Sequence, residues 1–394
     1  MLLWLLALVV LPQDEVRKEV TAYKFGRIVT CAGADLSPGV ILLSGGKIKL
    51  IGKEVAIPPG TPVVDLSGYV AMPGMVDAAA WQGVAGSANE EAAEITPQFR
   101  VVHAVDPKDK ALQQVVQLGV TALHVEPGNR NVIGGLGSVI KPVGKSLKEM
   151  VVREDVVLKA VMGREPAASN YPPRGSPATF FGRRPTTRMG VVWEFRKAFL
   201  AAKNQKEEGS EILGKAIGGK LPVRVSASTA SDIETALRLA EEFGFILQLE
   251  EAEEAHRYVE ELVARKVRVA LRAWVRTSDL YLPEGGEVRL DTFTRLTKAG
   301  VPVALLPWGL DGRESLLSMA SFAVRYGALR EDALKAVTIT PAEMVGVSDR
   351  LGSLEEGKDA DFVVLTGDPL DVKSRIEWVF IDGRRVFGKQ IGDY

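Results

Sequence analysis

The feature that most constrains this chain is a change of rhythm between its two ends and its middle. From Thr21 to Met72 the sequence runs through AYKFGRIVTC, GVILLSGGKIKLIG and TPVVDLSGYVAMPG, short apolar or alternating stretches split by Gly, Pro and Ser-Gly-Gly turns. That texture returns only at the far end, in DADFVVLTGDP and IEWVFIDGRRVFG. A half-sheet at either end cannot bury its apolar face alone, so the two ends are expected to meet. Between them, strands alternate with helices. GMVDA, GVTALHV, LPVRVSA, FILQLE, VRVALR and VPVALL read as strands. DPKDKALQQVVQLG, with Asp106 as N-cap and Gly119 as stop, TASDIETALRLAEEFG, EEAHRYVEELVARK, DTFTRLTKAG and ESLLSMASFAVRYG read as helices. Strands this continuously apolar predict a parallel sheet covered on both faces. About eight such units in ~270 residues suit a closed (β/α)8 barrel. A doubly wound open sheet is the alternative, but no Gly-rich phosphate fingerprint follows the early strands. The expected fold class is α/β. It comprises a TIM-type barrel over residues 73–346 and a small β-sandwich domain built from residues 20–72 and 347–394.

Composition narrows the partners. With 49 Lys+Arg against 50 Asp+Glu, the net charge of −1 gives no general attraction to nucleic acid or to an anionic membrane. The 46% apolar and 25% charged residues are the balance of a globular protein. A single cysteine, Cys31, cannot form an internal disulfide. The apolar run from Leu2 to Leu11 is too short to span a bilayer, which takes ~20 residues. It fits the apolar core of a signal peptide over residues 1–12, which implies a periplasmic or secreted protein. No Lys or Arg precedes the run and no A-x-A site follows it, so an N-terminal helix packed on a cytoplasmic domain is the alternative. No later segment reads as membrane-spanning.

Two irregular stretches stand out. Residues 164–190 are rich in Pro, Gly and Arg and read as a long loop. Its Arg164, Arg174, Arg183, Arg184 and Arg188 could hold an anion or simply be solvated. GGLGS at 134–138 lacks the Lys-Ser/Thr ending of a phosphate loop and reads as a tight turn. A G-x-S-x-G nucleophile elbow is absent.

Four segments carry a family resemblance: SGYVAMPGMVD (67–77), PTTRMG (185–190), LPVRVSASTASDIETALRLAEEFGF (221–245) and AVTITPAEMVGVSDRLGSLEEGKDADFVVLTGD (336–368). Together they resemble the amidohydrolase superfamily, in its imidazolonepropionase-like branch, from about Thr21 to Gly383. The resemblance implies a barrel with a split β-sandwich. It also implies hydrolysis of carbon–nitrogen bonds other than peptide bonds by zinc or another divalent metal at the barrel's C-terminal mouth.

The positions that the resemblance assigns to metal ligands do not carry them. The His-x-His pair falls on Ala79 and Trp81, the later histidines on Ser226, Ser228 and Glu251, and the aspartate on Trp308, with Asp311 nearby. Only His103, His124 and His256 remain in the chain, and of these only His124, at the end of GVTALHV, is placed to point toward the mouth. A lone strand histidine is more often a packed core residue than a ligand, since zinc takes three or four. A bound metal lowers the pKa of its water from ~15.7 to about 7. Ala and Trp offer no lone pair for that task, so no metal cofactor is expected. Lys159, Glu251 and Asp311 are the remaining pocket candidates, with Ser226 and Ser228 beside them. They could support Ser–Lys or carboxylate-assisted hydrolysis, or Lys159 and Glu251 could merely pair across the vacated position. Trp81 and Trp308 are expected to fill the mouth. The function expected is therefore that of an amidohydrolase-related pseudoenzyme. It would bind a small molecule or a partner subunit, either a second copy or an active paralogue. The alternative is an active hydrolase of cyclic amides or N-acyl compounds with a divergent or metal-free site. A structural subunit with no ligand site is a third reading.

Overall fold

The computed structural model describes residues 20–90, 92–168, 170, 184–204, 208–272, 289–307 and 315–389. The Leu2–Leu11 run, Arg174, Arg183, Trp308 and Asp311 lie outside the described residues. The N-terminal stretch folds into β1 (Val20–Ile28), β2 (Gly39–Ser44), β3 (Lys47–Gly52) and β4 (Val63–Pro73). β2 pairs antiparallel with β1 and β3, whereas β4 runs parallel to β1.

The middle of the chain supplies an eight-stranded sheet: β5 (Met75–Ala80), β6 (Val120–Val125), β7 (Ile133–Ile140), β8 (Val151–Val161), β9 (Val223–Ser226), β10 (Leu247–Glu251), β11 (Arg268–Leu271) and β12 (Val303–Leu305). The strands follow one another in chain order around the sheet. Ala78 of β5, Ala270 of β11, Ala304 of β12, Leu306 and Met344 pack together and bring its two edges toward closure. Small side chains there let facing strands approach across the barrel axis. Helices α1 (Lys110–Gln117), α2 (Leu147–Met150), α3 (Arg188–Lys203), α4 (Ser210–Ile217), α5 (Ala230–Phe243), α6 (Val259–Ala264), α7 (Thr292–Lys298), α8 (Leu316–Arg325), α9 (Arg330–Lys335) and α10 (Ile339–Met344) accompany it. The fold is thus the TIM-type barrel expected from the strand–helix rhythm.

The sheet is not all parallel, which corrects the expectation. β7 runs antiparallel to both β6 and β8. Only residues 126–132 and 141–150 separate these three strands, and a parallel return takes a crossover of roughly a dozen residues or more. The glycine-rich stretch expected to be a tight turn lies inside β7, fully buried. A Cβ on Gly137 would meet His124 Nε2 at 2.3 Å, and one on Gly135 would meet the Phe99 carbonyl oxygen at 2.4 Å. The glycines allow close approach of neighbours rather than a reversal. A second correction concerns α1. Its N-cap is Asp109, whose carboxylate accepts from the Ala111 N–H at 2.9 Å, whereas Asp106 accepts from Lys108 N–H in the preceding turn. The EEAHRYVEELVARK stretch yields only a short turn at Ala255–Arg257 and α6. Among the described residues no helix is long and apolar enough to cross a membrane.

The chain then returns as β13 (Phe362–Leu365), β14 (Ile376–Ile381) and β15 (Arg384–Phe387). β13 docks antiparallel on β4, which completes a seven-stranded sheet of order β15-β14-β13-β4-β1-β2-β3. The two chain ends share one aromatic core, with Tyr23 5.4 Å from Phe380 and Phe362 stacked on Phe380 at 4.4 Å. A buried charge cluster joins this domain to the barrel. Lys141, just past β7, lies 2.9 Å from Asp359, 3.0 Å from Asp361 and 2.6 Å from Asp382. Burial pushes the Asp361 carboxyl up to about 6, with Lys141 opposing. Burial would raise Asp359 too, but Lys47, Lys141 and Arg350 hold it at about 2. Lys141→Met should therefore strand buried carboxylates and cost about 3–5 kcal/mol. Urea denaturation of the two proteins at neutral pH checks this, and a loss below ~1 kcal/mol would show that water replaces the lysine.

Candidate functional site

At the barrel mouth, β5 ends on Asp77-Ala78-Ala79-Ala80 and is followed by Trp81. The Asp77 carboxylate accepts from the Ala79 N–H at 3.1 Å, and Trp81 is half-buried with no partner for Nε1–H. β9 ends on Ser226, with Ser228 two residues on. Both hydroxyls donate to Glu251 Oε2, at 2.6 and 3.4 Å. Glu251 closes β10 in a left-handed conformation, φ 66°, followed by Ala252 at φ 40°. Its other oxygen accepts from the Asn129 amide at 3.3 Å and lies 3.2 Å from Arg272. Of the positions singled out from sequence, Ser226, Ser228 and Glu251 thus converge, while Ala79 stands on β5 and Trp81 just after it.

A cleft of about 740 Å³ opens here, lined by Trp81, Asn129, Arg130, Glu165, Glu251 and Arg272 among others. Trp81 forms a wall of this cleft instead of filling the mouth, which corrects that expectation. Burial pushes the carboxyls of Glu165 and Glu253 up to about 7, and the adjacent Glu251 adds to both.

Lys159 does not pair with Glu251, contrary to the simplest expectation. Its Nζ lies 2.8 Å from Glu126 and 2.5 Å from Glu250, all three fully buried inside the barrel. The strand register explains the choice. Lys159 is level with Arg224 and Gln248, and Glu250 is level with Ser226 one layer higher. Adjacent strand residues face opposite sides, so the inward acid is Glu250. Arg224 reaches Glu126 at 3.1 Å, Gln248 at 3.0 Å and the carbonyl of Ala78. Burial would raise Glu126, but Lys159 and Arg224 hold it low; burial and the neighbouring Glu126 push Glu250 up to about 7. The two acids share Lys159, so their titrations are coupled. His124 belongs to the same layer. Its Nδ1 is 2.9 Å from the Ala78 carbonyl, and burial and Arg224 keep the ring neutral. It is a packed core residue.

A model of the amidohydrolase family matches residues 326–387. An amidohydrolase structure from Thermotoga maritima MSB8 is 32% identical, with a TM-score of 0.84, over 94% of this chain and 100% of that one. The chain belongs to the amidohydrolase superfamily. Amidohydrolase tasK of Hapsidospora irregularis is 28% identical over 89% of this chain, which spans only 40% of that protein's length. Imidazolonepropionase of Thermoplasma volcanium is 37% identical over 73 residues, 18% of each chain.

Barrels of this superfamily usually hold a divalent metal at this mouth, and the described residues here do not fit one. Among the described residues no three His, Cys, Asp or Glu side chains group as a metal-binding set. Ala79 and Trp81 have no donor pair to offer, and serine hydroxyls are poor zinc ligands. Glu251, the one carboxylate between them, has both oxygens committed to Ser226, Ser228, Asn129 and Arg272.

Several residues that build this amidohydrolase site were not singled out from sequence: Glu126, Arg224, Gln248 and Glu250 inside the barrel, and Glu165, Asn129 and Arg272 around the cleft. The first set had a signal. His124/Glu126, Arg224/Ser226 and Gln248/Glu250 are polar pairs at i, i+2 in otherwise apolar strands, which places each pair on one face. The second set comes from loops and strand ends and had none.

Asp77, Glu250 and Glu253 are each pushed to about 7 by burial, above ordinary values of 3.8 to 4.5. The folded chain then holds protons that the unfolded chain has released between about pH 4.5 and 7, so this contribution to stability is lost as pH rises through that window. The urea midpoint is expected to be higher at about pH 5 than at about pH 8, with a smaller difference in Glu250→Gln. An equal difference in both proteins would show that the Glu126–Glu250 pair does not titrate there.

Proposed function

We propose that this protein is a non-catalytic member of the amidohydrolase superfamily that binds a small molecule in the barrel-mouth cleft. The observation carrying this reading is the state of Glu251. Among the described positions that the resemblance assigns to metal ligands there is one carboxylate, and hydroxyl, amide and guanidinium donors already satisfy it. The cleft itself favours ligand binding over a purely structural role.

A second reading, metal-free hydrolysis of a cyclic amide or N-acyl compound, is favoured by one observation. Glu165 and Glu253 are pushed to about 7, the range suited to a general acid or base. Elemental analysis of protein purified without chelator, with an assay on cyclic amides and N-acyl amino acids, separates the readings. We expect less than about a tenth of a metal per chain and no turnover. Near-stoichiometric zinc with metal-dependent hydrolysis would overturn the proposal. Turnover without metal that Glu165→Gln or Glu253→Gln abolishes would establish the second reading.

A further inference from the structure

Helix α3 carries apolar side chains on two of its faces. Val191, Phe195, Ala198, Phe199 and Ala202 are buried, with Phe195 and Phe199 stacked at 4.4 Å. Met189, Trp193 and Leu200 are instead 80%, 60% and 44% exposed. At ~100° per residue these three fall within roughly 40° of one line along the helix. Single exposed apolar side chains are ordinary, but three aligned on one helix make a second apolar stripe with nothing packed on it. Arg196 lies beside the same line, between Trp193 and Leu200. Its guanidinium is tied back to Glu242 of α5 by contacts of 2.7, 3.0 and 3.1 Å. Lys197 lies 3.8 Å from Glu194, and Arg188 lies 3.1 Å from Asp232. Each of these three cations thus has a carboxylate of its own chain.

The spacing along the stripe is palindromic. Met189 and Trp193 are four residues apart, Trp193 and Arg196 three, and Arg196 and Leu200 four. A twofold axis midway between Trp193 and Arg196 sets Met189 level with the partner's Leu200. The same axis sets Trp193 level with the partner's Arg196. The first pair is apolar on apolar, and the second brings a guanidinium to an indole. We propose that this face is the interface of a symmetric dimer, in which the α3 helices of two copies cross antiparallel. An isologous contact brings a surface against itself, so like charges without a counter-ion would repel across it. The internal pairing of Arg188, Arg196 and Lys197 removes that obstacle. Trp and Arg are also the residue types that dominate binding energy at interfaces. The proposal does not depend on whether the barrel mouth is catalytic.

Sedimentation velocity of the full-length protein from about 1 to 100 µM tests it. The dimer should dominate at the upper end. Trp193→Arg sets two guanidiniums level across the axis and should weaken association roughly tenfold or more, with the thermal midpoint within a few degrees. Val372→Arg alters an exposed apolar side chain outside the stripe and should leave the dimer intact. A monomer throughout the range would overturn the proposal. So would a dimer that survives Trp193→Arg, or one that Val372→Arg weakens as much. A monomer that floats with phosphatidylserine vesicles would give the stripe to a lipid surface instead.

Discussion

Inside the barrel two cations, Lys159 and Arg224, and the acids Glu126 and Glu250 are held out of water, and the strands around them are arranged so that each finds a partner. Removing such charges from solvent costs several kcal/mol per ion, and only good geometry with further hydrogen bonds offsets it. Arg224 shows how this is met. Its guanidinium touches the Ala78 carbonyl on β5, Glu126 after β6 and Gln248 on β10, while Gln248 donates on to the Met344 carbonyl in α10. One side chain on β9 therefore ties β5 and the end of β6 to β10, and Gln248 carries the link on to α10. Slipping β9 by one residue would turn Arg224 outward and leave Glu126 with one cation fewer, so the register is fixed by charge as well as by apolar packing.

The segment matched by the family model and the barrel mouth lie in different parts of the chain. The segment that matches the family model, residues 326–387, contains Asp359, Asp361 and Asp382, the carboxylates that clasp Lys141 at the junction of the two domains. Those residues hold the β domain on the barrel and take no part in the mouth. Strong likeness there follows from the shared scaffold and says little about catalysis, which depends on the strand ends. At the strand ends this chain presents Ala79, Trp81, Ser226, Ser228 and Glu251.

Much of the architecture was legible because it rests on periodicity. Continuous apolar strands, amphipathic helices and the β-rich texture at both ends reported the barrel and the composite sheet directly. Strand direction was not legible, because the burial pattern of β7 is the same whichever way it runs. The short connections at 126–132 and 141–150 carried that information instead. The partner of Lys159 was equally out of reach. Glu250 and Glu251 are neighbours in sequence, and only the strand register decides which one faces inward. Trp81 follows β5, but whether an indole there plugs a mouth or lines it depends on loops whose course no local pattern encodes.

The backbone at Glu251 argues that the mouth is built and not simply eroded. A non-glycine residue in the left-handed region costs of order 1–3 kcal/mol and persists only where its surroundings over-determine it. Here two consecutive residues, Glu251 and Ala252, hold positive φ, and the Ala252 N–H donates to the Glu250 carbonyl at 2.9 Å. That turn points Glu250 and Glu251 to different places, one down to Lys159 and one across to Ser226, Ser228, Asn129 and Arg272. In a site organised by a metal, ligand bonds would supply the restraint. In this chain four side chains from three separate segments supply it, and burial with the neighbouring Glu251 pushes Glu165 and Glu253 up to about 7. Glu251 is thus the anchor of the mouth, held by Ser226, Ser228, Asn129 and Arg272.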